Sequence, residues 1–128
     1  MEPVFQRVFI CSKESRDSFL HMRKFMAVDG TFLTARFCQI LLLAVGTDGN
    51  GKNLLLPWGI VESENTESWT WFSSQLKLAI PESIGMSLIS DRNKGLLAAQ
   101  EKVYHGTIYT LICCYHLKGN YNQVFDFP

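Results

Sequence analysis

The order of apolar runs and turn signals predicts a mixed α/β sheet, with three antiparallel strands followed by parallel strands reached through helical crossovers. Two observations carry that prediction. Three apolar runs, at residues 25–28, 38–46 and 53–61, follow one another with only short polar breaks between them. Beyond residue 66 the apolar spacing becomes helical, and helices then alternate with short strands.

Residues 4–11, V-F-Q-R-V-F-I-C, read as a strand with imperfect alternation. Residues 12–23 read as a short helix, with Ser12 or Ser15 as N-cap and Phe19, Leu20 and Met22 as its apolar patch. The first core strand follows. It is too short for a helix, Gly30 closes it, and Asp29 stands at its end. Residues 31–36 read as a connection or a short extension. The tetrapeptide Asp48-Gly49-Asn50-Gly51 is the strongest turn signal, because these residues tolerate positive φ in hairpins. Pro57 marks the returning strand as an edge strand or as the carrier of a bulge.

The best helix spans residues 67–78, with Thr66 as N-cap. Trp69, Phe72, Leu76 and Ile80 form its apolar face, and Pro81 ends it. Trp69, Trp71 and Phe72 read as packing residues rather than a base-stacking surface. Met86, Leu88 and Ile89 make a short strand closed by Ser90 and Asp91. A second helix spans about residues 93–103, with Leu96, Leu97, Ala99 and Val103 as its apolar set. Residues 105–114 read as a last strand.

At 128 residues this is one domain or a piece of one, and 47% apolar residues suit a packed core. Net charge is zero, so no global basic footprint points to nucleic acid. No signal peptide is apparent, and the longest apolar stretch is far short of a membrane span. The sequence thus predicts a soluble, intracellular chain whose four cysteines, Cys11, Cys38, Cys113 and Cys114, are reduced.

Two acids carry the chemical reading. Asp29 ends the first core strand and Asp91 ends the fourth. If those strands lie side by side and parallel, both carboxylates emerge at the carboxyl edge of the sheet, where α/β sheets bind ligands. Two adjacent carboxylates repel unless a cation lies between them. Each acid also has a bland reading, Asp29 as Asp-Gly turn chemistry and Asp91 as a helix N-cap.

The blocks V-D-G-T-F-L (28–33), L-L-L-A-V-G-T-D (41–48), G-I-V-E-S-E-N (59–65), I-S-D-R-N-K-G (89–95) and the late C-x-x-H-L-x-x-N (113–120) together resemble the MULE transposase domain, the catalytic core of Mutator-like element transposases. Residues 5–10, F-Q-R-V-F-I, resemble the segment that precedes that core. The resemblance implies an RNase H-like fold with a DDE-type site, in which Asp29 and Asp91 match the first and second acids and bind Mg²⁺ or Mn²⁺. It implies cleavage at transposon ends and strand transfer into target DNA, homo-oligomeric assembly and a nuclear location. Residues 1–24 then precede the core, and 25–128 form an incomplete core, truncated at its C-terminus. The family's third acid, a Glu, corresponds to none of Glu62, Glu64 or Glu101.

Arg92 and Lys94, beside the second acid, are candidate phosphate contacts, although exposed charges at a helix start are more often simply solvated. Glu64 matches a recurring family position and reads as a turn or cap residue. Cys113 and His116 have the spacing of half a zinc site, but no second pair follows, and zinc is not expected. Two other functions compete: a non-catalytic, transposase-derived module that associates with DNA or protein, and a stand-alone RNase H-like nuclease.

Overall fold

In a computed structural model, residues 6–33, 39–81, 86–91 and 94–112 are described. Nine elements follow in the order β1 (Val8–Ile10), α1 (Lys13–Phe19), β2 (Phe25–Phe32), β3 (Ile40–Thr47), β4 (Asn53–Val61), α2 (Thr66–Ala79), β5 (Ser87–Ser90), α3 (Lys94–Tyr104) and β6 (Tyr109–Ile112). The six strands form one sheet in the order β1-β4-β3-β2-β5-β6. β1, β4, β3 and β2 pair antiparallel in turn, whereas β2–β5 and β5–β6 are parallel. The predicted element order and the predicted change from antiparallel to parallel pairing are both present.

The strands are apolar on nearly every residue but bury them unequally. Along β2 and β3 the buried positions alternate: Met26 and Val28, then Ile40, Leu42 and Ala44. This is the period of two that a sheet imposes. The buried face packs under α2, which contributes Trp69, Phe72, Leu76 and Ile80, the four positions expected from helical spacing. α3 adds Leu96, Ala99 and Tyr104. In the last turn of α2, Lys77 Nζ donates to the Val103 carbonyl at 3.2 Å and ties the two helices together.

The β3–β4 hairpin is closed by its turn residues. Asp48 Oδ1 accepts from the backbone N–H groups of Asn50 and Lys52, both at 2.9 Å, and Gly51 takes φ +85°. Past that turn the register shifts between Leu43 and Val45, so that Leu56 and Pro57 together oppose Ala44. Pro57 therefore marks a bulge, one of the two readings its sequence position allowed. β4 is flanked on both sides, but β1 pairs only with Trp58 to Ile60 and stops short of the proline. No ladder hydrogen bond to β1 is lost at Pro57.

Several local expectations change. β2 does not stop at Gly30: it runs to Phe32 because β3 pairs with it along its length, from Met26↔Gly46 to Phe32↔Ile40. Thr31 and Phe32 are thus an extension of the strand, one of the two readings the sequence allowed. The N-cap of α2 is Asn65 rather than Thr66. Asn65 Oδ1 accepts from Ser68 N–H at 2.8 Å, and Ser68 Oγ donates to the Ser63 carbonyl at 2.6 Å. Ser12 caps α1 through Ser15 N–H. Of the α1 patch, Phe19 is buried and Met22 packs against the core, but Leu20 is 80% exposed. The last strand begins at Tyr109, not His105. His105 (φ 52°) and Gly106 (φ 78°) turn the chain out of α3 first.

β1 is held at the edge by its flanks. Arg7 Nε donates to Glu62 Oε2 at 3.0 Å, and the guanidinium lies 5.6 Å from the centre of the Trp71 ring. The hydrogen bond from Arg7 holds the Glu62 carboxyl below the usual carboxylate range. Phe9 meets Trp71 edge-on at 6.3 Å. Beneath it, Gly59 lies so close to β1 that a Cβ there would be 2.9 Å from the Val8 carbonyl oxygen. Cys11, just past β1, is a half-buried free thiol whose pKa burial pushes up.

Candidate metal centre at the carboxyl edge

The parallel β2–β5 ladder runs Phe25↔Ser87, Met26↔Leu88 and Ala27↔Ile89. Asp29, inside β2, and Asp91, one residue past β5, each lie two residues beyond the last pair of that ladder. Asp29 has the side of Ala27, the sheet face opposite buried Met26. Neighbouring strands run about 4.8 Å apart, so a register continued by two residues would bring the two carboxylates within reach of a common ion. Both acids are half-buried. The predicted meeting of the first and fourth core strands is therefore present, but its geometry differs from the expectation in one respect. Asp29 lies inside β2, and it is the pairing with β5 that ends beside it.

At Asp29 the local backbone is specific. Asp29 Oδ1 accepts from the N–H of Gly30 at 2.9 Å. Gly30 has the opposite side of the strand, towards α2. A Cβ there would lie 3.1 Å from Leu42 Cδ2 and 3.2 Å from both Cδ and Oε1 of Glu64. Glu64 Oε1 in turn accepts from the indole Nε1–H of Trp69 at 3.1 Å. The cap of α2 is Asn65, and Glu64 lies in the break between β4 and α2. It links the buried α2 tryptophan to the residue beside Asp29. Sequence reasoning missed this link, and the only trace of it was the polar E-S-E-N break placed one helical turn ahead of Trp69.

Two carboxylates are hard oxygen donors of the kind Mg²⁺ and Mn²⁺ take while keeping several waters. Among the described residues no group of three His, Cys, Asp or Glu gathers that could hold an ion. The donor set at this edge thus fits an ion held by two protein ligands and completed by water, phosphate or a further acid. Arg92, Cys113 and His116 lie outside the described residues, as does the side chain of Lys94. A cavity of about 320 Å³ lies at the other end of the β2–β5 pair, between α1 and the end of α2, and is lined mainly by apolar groups such as Phe19, Met22 and Ile80. Its one acidic lining residue is Asp17. Among the described residues no helix is long and apolar enough to cross a membrane.

Among solved structures, the chain is similar to a chain of the simian T-cell lymphotropic virus intasome in complex with PP2A regulatory subunit B56 gamma, at 12% identity and TM-score 0.46 over 83% of this chain and 40% of that one. It is also similar to the catalytic domain of Mos1 transposase, in the structure with Raltegravir and Mg, at 16% identity and TM-score 0.42 over 91% of this chain and 67% of that one. A second structure, of the Mos1 mariner transposase catalytic domain, aligns at 15% identity and TM-score 0.42, over 91% of this chain and 66% of that one. The chain thus spans less than half of the intasome chain and about two-thirds of the Mos1 domains. No curated protein matches it. The family model of the MULE transposase domain matches residues 25–120, from the first residue of β2 to past β6. The sheet is antiparallel through β4-β3-β2 and parallel through β2-β5-β6, which is the RNase H-like order, and the chain belongs to the MULE transposase domain family.

Proposed function

We propose that Asp29 and Asp91 are the first and second acids of a DDE-type site, and that the chain is the core of a DNA transposase acting at element ends in the nucleus. The observation that supports this reading is the parallel β2–β5 ladder, whose last pair, Ala27↔Ile89, lies two residues before each acid. When bound there, a divalent cation supplies Lewis acidity towards a phosphodiester oxygen. The work of this chain's own residues is to bind and to orient. The two carboxylates provide the negative charge that draws the cation in, and the flanking strands fix their spacing. Arg92 and Lys94, next in sequence after Asp91, are the proposed contacts to DNA phosphate. The proposal assigns two acids of three to these residues, and the third comes from outside residues 25–120. Complete transposition then requires that acid and a partner region that finds the element ends, in a homo-oligomer that holds both ends.

The reading is tested by excision of a marked element. The transposase used is a Mutator-like one in which the domain is replaced by residues 25–120 of this chain. Excision is expected to fall to background with Asp29→Asn or with Asp91→Asn, because losing one carboxylate of such a pair removes a metal ligand without altering side-chain size. Excision undiminished in both variants would sink the assignment of these acids.

A further inference from the structure

We propose that Glu64 is a positioning residue for Asp29. Its carboxylate, fixed by the Trp69 indole, is the stop against which the Asp29–Gly30 segment of β2 is set. The proposal rests on the reading of Asp29 as a metal ligand only for its consequence, not for its geometry.

Three contacts in series make the device. Trp69 is 1% exposed, so its ring is fixed in the core between helix and sheet. Its Nε1–H donates to Glu64 Oε1 at 3.1 Å, which holds one carboxylate oxygen at a defined place. That carboxylate sits over Gly30 so closely that a Cβ there would come within 3.2 Å of it. The N–H of Gly30 then donates to Asp29 Oδ1 at 2.9 Å. A rotation of the peptide plane at Gly30 would change the direction of that N–H and with it the carboxylate it holds. Glu64 on one side of the strand thus sets a side chain on the other. A Cβ at position 30 would make Glu64 or Leu42 give by a few tenths of an ångström, so the carboxylate and the strand are in close contact. Partners of this indirect kind fix the orientation of a ligand carboxylate, and their loss typically costs 10- to 100-fold in metal affinity.

Glu64→Gln retains the side-chain length and a carbonyl oxygen for the indole, and Glu64→Ala removes both. The first readout needs no metal: the ¹⁵N–¹H amide resonance of Gly30 and the indole resonance of Trp69. Both are expected to move in Glu64→Ala and to stay near their wild-type positions in Glu64→Gln. Trp69→Phe, which removes the donor from the other side, is expected to move the Gly30 amide in the same direction as Glu64→Ala. The second readout is Mn²⁺ affinity by calorimetry, with a loss of about tenfold or more in Glu64→Ala and less than about twofold in Glu64→Gln. A Gly30 amide that does not move in Glu64→Ala or Trp69→Phe overturns the proposal. An equal loss of affinity in Glu64→Gln and Glu64→Ala also overturns it, since Glu64 would then act as a charge. Absence of Mn²⁺ binding by the wild-type chain would instead count against the metal reading of Asp29, and the Gly30 amide would still decide whether Glu64 sets this segment.

Discussion

Replacing Trp69 with Ala is expected to lower the thermal midpoint by on the order of 10 to 20 °C, the largest stability loss of any single substitution proposed for this chain. Trp69 is 1% exposed and meets Phe72 edge-on at 5.9 Å. Truncating a buried aromatic costs about 3 to 5 kcal/mol through lost burial and the cavity left behind. That is a large part of the roughly 5 to 15 kcal/mol that holds a domain folded. Trp69→Phe separates the two roles of the residue. It keeps most of the ring volume and loses the N–H to Glu64, so it should cost only about 1 kcal/mol, the usual net worth of one hydrogen bond. Urea unfolding followed by far-ultraviolet circular dichroism checks both. If Trp69→Ala unfolds at nearly the same urea concentration as wild type, α2 is not clamped to the sheet by this ring.

The second large effect concerns the acids. Titration with Mn²⁺ is expected to show binding by the wild-type chain, weakened at least about tenfold in Asp29→Ala or Asp91→Ala and abolished in the double variant, since each ion relies on few protein ligands. The fold should not suffer in step. Asp29→Ala gives up the hydrogen bond that Asp29 accepts from Gly30 N–H, an interaction usually worth about 1 kcal/mol, so its thermal midpoint without metal should stay within about 5 °C of wild type. A midpoint that drops by much more, with Mn²⁺ binding unchanged, would make this acid structural.

Much of this architecture was legible before any coordinates, and the reasons are local. The hairpin was written in Asp48-Gly49-Asn50-Gly51, whose side chain and φ requirements few other conformations meet. The face of α2 followed from Trp69, Phe72, Leu76 and Ile80, because a helix repeats every 3.6 residues whatever it packs on. What could not be read was set by partners distant in sequence. Gly30 looks like a strand end, yet the ladder to Leu42 carries β2 through it. Glu64, thirty-four positions on, packs closely over this glycine, and nothing in the D-G dipeptide announces that contact. Asn65 and Thr66 are both competent caps, and the choice fell to Asn65, which caps Ser68 while Ser68 and Asn65 both bond to Ser63. His105 belongs to the turn after α3, although the apolar run beside it continues into β6. For the site, each acid alone was ambiguous with turn or cap chemistry. Only the predicted strand order joined them, and of that reading the β2–β5 ladder bears out the parallel neighbourhood of the two strands.

The central claim is that Asp29 and Asp91 share one ion. Paramagnetic broadening tests it most directly: Mn²⁺ is added in substoichiometric steps to the ¹⁵N-labelled chain, and amide resonances are followed along both strands. The account predicts that the amides of Gly30 and Asp91 broaden first and at the same Mn²⁺ ratio, and that Asp29→Ala weakens the broadening at both alike. Broadening confined to one of the two segments, or undiminished at Asp91 when Asp29 is gone, would contradict it.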